Sequence, residues 1–329
     1  MSDPLIIAIP SKGRLKEQVE DWLADCGLPV RTTGGARGYS AALEGLDEVQ
    51  LRLASAGDIA ASLALGDTHL GVTGEDLLRE QPADGADRFR LLMPLGFGRA
   101  DLVVAAPRSW IDVETMADVE DVAHLYMART GRRLRVATKY LAQTRAFFAR
   151  HGIVDYRIAE SGGATEGAPA AGAAELVVDI TTTGATLAAN GLKPLSDGLI
   201  LRSQAHLVAA LGTRWSQSQR AACRRLLSIA SARARGRSMA ALAWPAGEDA
   251  AARAALAGPC PDADTSAAHG AIIARSRLFD AAAALAAAGV GPISVTRPEY
   301  LFEASCAAAD GLDEVLAANA QGVDNPAVS

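Results

Sequence analysis

Short apolar runs alternate with amphipathic stretches from the start of the chain to well past its middle. Leu5–Ile9, Leu51–Ala54, His69–Thr73, Leu91–Leu95, Leu102–Ala106, Arg135–Ala137, Arg157–Glu160, Leu176–Ile180, Leu199–Arg202 and Ala205–Leu211 each predict a strand. They are too short to be buried helices, and turn residues such as Gly and Pro bound many of them. Helices are expected over Lys16–Cys26, ended by Gly27, over Asp58–Leu65, stopped at Gly66, and from the Thr138–Arg145 stretch onward, carrying Phe147 and Phe148 and ended by Gly152. Further helix starts follow Gly74 and Gly184, and a short helix runs to Ala174. Such interleaving predicts an α/β fold with a mostly parallel sheet. Gly96-Phe-Gly-Arg-Ala100 separates two predicted strands and reads as a hinge between two lobes. On this reading residues 1–97 and 194–216 form lobe I, and 98–193 form lobe II.

Composition shifts near residue 217. Gln217–Arg237 carries Leu226, Leu227 and Ile229 at helical spacing and reads as a linking helix. Its arginines (Arg220, Arg224, Arg225, Arg233, Arg235, Arg237) are expected to form a solvated face, because no aromatics interleave them as nucleic-acid binding would want. Beyond it, strands over Ser238–Trp244, His269–Ala274 and Pro292–Val295 alternate with helices over Asp249–Ala257 and Phe279–Ala288. That order suggests a small β-α-β-β-α-β unit, so residues 217–329 read as a linking helix and a regulatory module. From Ala307 the Ala/Asn/Asp-rich tail is weakly specified, with fraying expected at its last residues.

The 329 residues, 50% of them hydrophobic, suffice for two or three domains. A net charge of −6 discourages non-specific nucleic-acid binding. No segment approaches the roughly 18 consecutive apolar residues of a membrane span. Residues 1–10 read as a first strand rather than an export signal, and a cytoplasmic location is expected. Cys26, Cys223, Cys260 and Cys306 are far apart, which predicts free thiols. The five histidines show no zinc-ligand spacing.

The chemistry concentrates in Glu175-Leu-Val-Val-Asp-Ile-Thr-Thr-Thr-Gly-Ala-Thr-Leu187. A strand feeding a Gly/Thr turn that opens a helix leaves backbone N–H groups free for an anion. Thr181, Thr182, Thr183 and Thr186 add hydroxyl donors, and Asp179 at the strand end is placed for a sugar hydroxyl or a metal. A plain Thr-capped turn is the competing reading. Pro10-Ser-Lys-Gly-Arg-Leu15 sets Lys12 and Arg14 beside a helix start that Ser11 is suited to cap. Thr138-Lys139 repeats that pairing of hydroxyl and cation.

Glu166-Gly-Ala-Pro-Ala-Ala-Gly172 followed by the Asp179–Thr186 loop resembles the signature of the ATP phosphoribosyltransferases, the enzymes that open histidine biosynthesis. Pro10–Leu15, Leu70-Gly-Val-Thr-Gly-Glu-Asp-Leu77 and Val136-Ala-Thr-Lys-Tyr140 match further motifs of that family in order, so the resemblance covers residues 5 to about 210. It implies a two-lobed, periplasmic-binding-protein-like α/β catalytic core plus a small C-terminal α+β domain of ferredoxin or ACT type. The implied reaction joins N1 of ATP to C1 of phosphoribosyl pyrophosphate and releases pyrophosphate. The resemblance places Thr182, Thr183, Gly184, Ala185 and Thr186 around the 5-phosphate and Asp179 near the ribose hydroxyls. It assigns Glu166 either to ordering the loop or to Mg2+. Lys12, Gly13, Arg14 and Lys139 fall to ATP or pyrophosphate, with Mg2+ held mainly by the substrate phosphates. No residue stands out as a nucleophile.

Two departures qualify the resemblance. Where family members often carry an Arg before a helix, this chain reads Leu53-Ala-Ser-Ala-Gly-Asp58, and Arg52 or Arg99 is expected to take over. Residues 269–296 resemble the end of the family's histidine-sensing domain, whereas 245–268 match poorly. The resemblance therefore implies inhibition by L-histidine, or else a separate regulatory subunit of the kind that short members use. It also implies a homo-oligomer, dimer to hexamer. The competing class is a non-catalytic two-lobed binding or regulatory subunit.

Overall fold

The computed structural model describes residues 3–32, 40–81 and 88–323. Its first sheet has seven strands in the order β2-β3-β4-β1-β5-β12-β6. These are Leu5–Pro10 (β1), Val30–Thr32 (β2), Ser40–Leu43 (β3), Leu46–Ala54 (β4), Leu70–Gly74 (β5), Phe89–Pro94 (β6) and Ala205–Ala210 (β12). The central strand, Leu-Ile-Ile-Ala-Ile-Pro, is buried along nearly its whole length because helices cover both faces. Leu5, Ile7 and Ile9 pack in one cluster with Leu226 and Leu227; Ala8 packs in another with Ile59 and Leu63. Gly71 lets that second layer sit close, since a Cβ there would meet Ile59 Cγ2 at 2.7 Å.

The second sheet has five strands, ordered β11-β7-β10-β8-β9. They are Ala100–Pro107 (β7), Leu134–Thr138 (β8), Tyr156–Glu160 (β9), Leu176–Thr181 (β10) and Leu192–Ser203 (β11). The two-lobed expectation is met. The chain crosses between sheets at Gly96–Arg99 and again between Ser203 and Ala205. The second crossing corrects the boundary expected at residue 194, because β11 pairs with β7 from Leu192 to Ser203. The sheets are also mixed rather than mostly parallel. Parallel pairing is confined to β1 with β4 and β5, and to β8 with β9 and β10. β12, re-entering from the second lobe, runs antiparallel to β5 and β6.

The helices are Gly13–Asp25 (α1), Ala56–Leu65 (α2), Glu75–Arg79 (α3), Met116–Thr130 (α4), Leu141–Arg150 (α5), Ala185–Ala189 (α6), Gln217–Ser238 (α7), Asp249–Leu256 (α8), Leu278–Ala287 (α9) and Ala307–Val323 (α10). The third sheet comprises Met239–Ala243 (β13), Gly270–Ala274 (β14) and Ser294–Thr296 (β15), ordered β14-β13-β15 with antiparallel pairs. An antiparallel bridge from Asp264 to Ile272 extends it beyond β14. The expected β-α-β-β-α-β path is thus present, its second strand shrunk to a single bridge.

Three expectations need correction. Ser11 does not cap α1: Lys12 holds the N-cap position without a side-chain hydrogen bond, and the helix begins at Gly13. Five of the six α7 arginines are ion-paired and not simply solvated, although Arg225, Arg235 and Arg237 stay exposed. Arg233 and Arg237 bond Asp25, Arg225 bonds Glu48, and Arg235 bonds Glu303. Arg224 bonds Asp310 and Asp313 at 2.6 Å each. Those last partners belong to α10, so the tail from Ala307 is a packed helix, with Ala309, Leu312 and Leu316 in the first lobe's core. Residues 324–329, where fraying was expected, lie outside the described residues. The four cysteines are free, as expected, and all are buried; among the described residues no helix is long and apolar enough to cross a membrane.

Candidate active site

A cavity of about 590 Å³ opens between the lobes, within the range of ligand sites. Arg14 on α1, Arg99 on the first crossing and Lys139 at the β8–α5 junction bring cations to it from three separate segments. Thr182 lines it from the Thr/Gly loop, and Asp76 and Tyr140 line its floor. Thr182 and Arg99 also line an adjoining cavity of about 440 Å³ with Arg202, Ser203 and Gln204. Thr182 Oγ1 donates to the Arg99 carbonyl at 3.1 Å, so the loop is tied to the crossing strand.

The Thr/Gly loop follows the end of β10. Gly184 takes φ +74°, a left-handed conformation suited to glycine, and starts α6. Its N–H donates to Thr181 Oγ1 at 2.8 Å, and the Ala185 N–H donates to Thr183 Oγ1 at 3.4 Å. Thr182, Thr183, Ala185 and Thr186 are exposed. Asp179 is half-buried on β10, and Oδ1 accepts from the Ile180 N–H at 2.8 Å. Burial pushes its carboxyl above the ordinary value; the Ile180 hydrogen bond and the Lys139 charge oppose that, and nearby Glu166 adds to it. Glu166 lies on a 3-10 turn, Thr165–Gly167, packed against β10.

The expected residues fall into two groups. Arg14, Lys139 and Thr182 share the cavity wall. Asp179, Glu166, Thr183, Gly184, Ala185 and Thr186 continue from Thr182 on the second-lobe side. Lys12 and Gly13 sit exposed at the mouth of α1 and do not line the wall. Of the two expected substitutes for the missing Arg, Arg99 faces the cavity, whereas Arg52 turns its guanidinium to the Asp67 carbonyl at 3.2 Å. Gln18, Arg202 and the Asp76–Tyr140 pair were not anticipated. Gln18 is one helical turn beyond Arg14, so its placement was readable from the helix; the others required the tertiary fold.

The family profile described as HisG: ATP phosphoribosyltransferase matches residues 55–229. An ATP phosphoribosyltransferase of Caulobacter vibrioides is 65% identical over 316 residues, covering 96% of this chain and 99% of that one. One of Rhodopseudomonas palustris is 57% identical over 235 residues, 71% of this chain and 72% of its own. The chain belongs to the ATP phosphoribosyltransferase family. Among solved structures, a chain of the ATP phosphoribosyl transferase (HisG:HisZ) complex from Thermotoga maritima superposes with a TM-score of 0.53 at 26% identity. That superposition covers 69% of this chain and 95% of that one. For an ATP phosphoribosyltransferase family member, three cations and a Thr/Gly loop around one interlobe cavity are chemistry suited to polyanions.

Proposed function

We propose that the chain transfers the 5-phosphoribosyl group of phosphoribosyl pyrophosphate to N1 of ATP, the first step of histidine biosynthesis. The observation that carries this reading is the convergence of Arg14, Arg99, Lys139 and Thr182 on one interlobe cavity. N1 of adenine forms a bond to C1 of the ribose as the C1–O bond to pyrophosphate breaks, its electron pair leaving with pyrophosphate. The leaving group is already good, so the residues chiefly hold and orient two polyanions and offset their charge. In this reading the loop from Thr182 to Thr186 seats the 5-phosphate, with Gly184 allowing the backbone close to it. Asp179 holds the ribose hydroxyls. Lys12, Gly13, Arg14 and Lys139 take the ATP or pyrophosphate phosphates, and Arg99 stands in for the missing arginine.

Among the described residues no cluster of three or more His, Cys, Asp or Glu side chains is arranged to hold a metal ion. Asp179 and Glu166, close enough for the Glu166 charge to act on Asp179, would suit a divalent cation shared with substrate phosphates, and Mg2+ is the ion we assign. Bound there, it would offset pyrophosphate charge. The C-terminal module, with its own core around Leu242, Trp244 and Ile273, is assigned to L-histidine inhibition, and the assembly to a homo-oligomer of two to six chains. Added L-histidine in a steady-state assay and light scattering on the eluted protein test these two assignments. For the site itself, Lys12→Ala is expected to weaken binding of ATP or of pyrophosphate more than binding of ribose 5-phosphate. Equal losses for all three ligands would mean that Lys12 is structural.

A further inference from the structure

Asp76 does more than line the cavity floor. It is the second residue of α3, in the first lobe, and is only 5% exposed. Its carboxylate is held by hydroxyls of the second lobe. Tyr140 Oη donates to Oδ2 at 2.8 Å, and Ser203 Oγ donates to Oδ1 at 2.7 Å. Ser203 Oγ in turn accepts from the Asp76 N–H at 3.1 Å, and Gln143 Nε2 donates to the Asp76 carbonyl at 2.8 Å. Gly74 makes the room, since a Cβ there would lie 2.2 Å from Asp76 Oδ1. Glu80, just past α3, accepts from the Ala142 and Gln143 N–H groups at 2.6 and 3.3 Å, at the first turn of α5. All of these bonds join Asp76 or Glu80 of one lobe to Tyr140, Ala142, Gln143 or Ser203 of the other.

Parting the lobes here would strand a buried carboxylate without its donors, which costs far more than losing an exposed hydrogen bond. Burial and the Asp76 charge hold the Tyr140 phenol protonated, so it remains a donor. Arg14 comes to the cavity from the first lobe, Lys139 and Thr182 from the second. In this arrangement of the lobes they share one cavity.

We propose that Asp76 is a positioning residue: with Tyr140 and Ser203 it latches the lobes at the approach where these groups face one cavity. The proposal rests on the reaction assigned above. Tyr140→Phe keeps the ring and removes one donor, and Ser203→Ala removes the other. Each is expected to lower kcat by about tenfold or more, the loss of a hydrogen bond to a charged group. The double variant should lose less than the product of the two, because both act through one carboxylate. Ribose 5-phosphate, whose assigned contacts (Thr182 to Thr186 and Asp179) are all in the second lobe, should bind the full-length variants within a factor of about three of wild type.

A second readout needs no turnover. Spin labels on Leu65→Cys and Ile111→Cys, 72% and 77% exposed on opposite lobes, diluted with unlabelled chain, should give a broader interlobe distance distribution in Tyr140→Phe. An unchanged kcat with an unchanged distribution overturns the proposal. A kcat loss matched by an equal loss of ribose 5-phosphate affinity overturns it too, since a structural or substrate-binding role would do that. If the wild type makes no product, the assigned reaction fails while the distance measurement still decides the latch.

Discussion

Gly184→Ala separates a phosphate cradle from an ordinary capped turn. The substitution puts a β-carbon on a residue whose φ is +74°. In that left-handed region an L side chain costs about 1–2 kcal/mol. Nothing lies within 4 Å of the position the Cβ would take, so no packing penalty adds to the backbone cost. At about 2–4 °C per kcal/mol for a domain of this size, Tm should fall by about 2–8 °C. Gly131 offers a matched control: it closes α4 with φ +67°, and a Cβ there also meets nothing within 4 Å. Gly131→Ala should therefore cost similar stability. The two should part in a calorimetric titration with phosphoribosyl pyrophosphate. The Gly184 variant should lose about tenfold or more in affinity, because its Cβ occupies the space a phosphate must enter and the loop's backbone donors are held off. The Gly131 variant should bind as wild type does. Equal affinity in both variants would refute the cradle.

Three further outcomes follow from other parts of the structure. Arg99→Ala should reduce kcat/KM by about tenfold or more, while Arg52→Ala, whose guanidinium is bonded to the Asp67 carbonyl, should change it by less than about threefold; the reverse order would reassign the missing arginine's duty. Arg224→Ala removes two ion pairs whose arginine is 43% exposed and so partly screened. It should cost about 1 kcal/mol and speed amide exchange in α10, and unchanged exchange there would mean that α10 docks on apolar contacts alone. Asp25 has its carboxyl held below the ordinary value, first by the Arg233 hydrogen bond. Its contribution is therefore full above the unfolded value of about 3.9 and lost as pH falls through the lower native one. Denaturant midpoints between pH 5 and pH 3 should fall more steeply for wild type than for Asp25→Asn, and identical slopes would contradict this.

The lobes were legible because their strands are short apolar runs bounded by Gly and Pro, and because Gly96-Phe-Gly98 marks the first crossing. The second crossing was misplaced at residue 194, since β11 carries polar residues at Ser196 and Asp197 and hides its length. Helix α4 was not anticipated, although Thr115 and Asp118 form a capping box and Met116, Val119 and Ala123 fall on one buried face. Its signal was present but diluted by charged positions between the apolar ones. The α7 arginines and α10 misled for a tertiary reason: Asp25, Glu48 and Asp310 are distant in sequence from the cations they meet. In the candidate site, the Thr/Gly loop and the Lys12–Arg14 turn are local motifs and could be read directly. Arg99, Arg202 and the Asp76 latch depend on which lobes meet.

The central claim is that this interlobe cavity joins ATP to phosphoribosyl pyrophosphate. The most direct test mixes the purified chain, with no added subunit, with ATP, Mg2+ and phosphoribosyl pyrophosphate, and follows absorbance together with released pyrophosphate. The account predicts an absorbance rise that requires both substrates, with one pyrophosphate released per phosphoribosyl-ATP formed. Folded chain that binds both ligands yet forms neither product would contradict it.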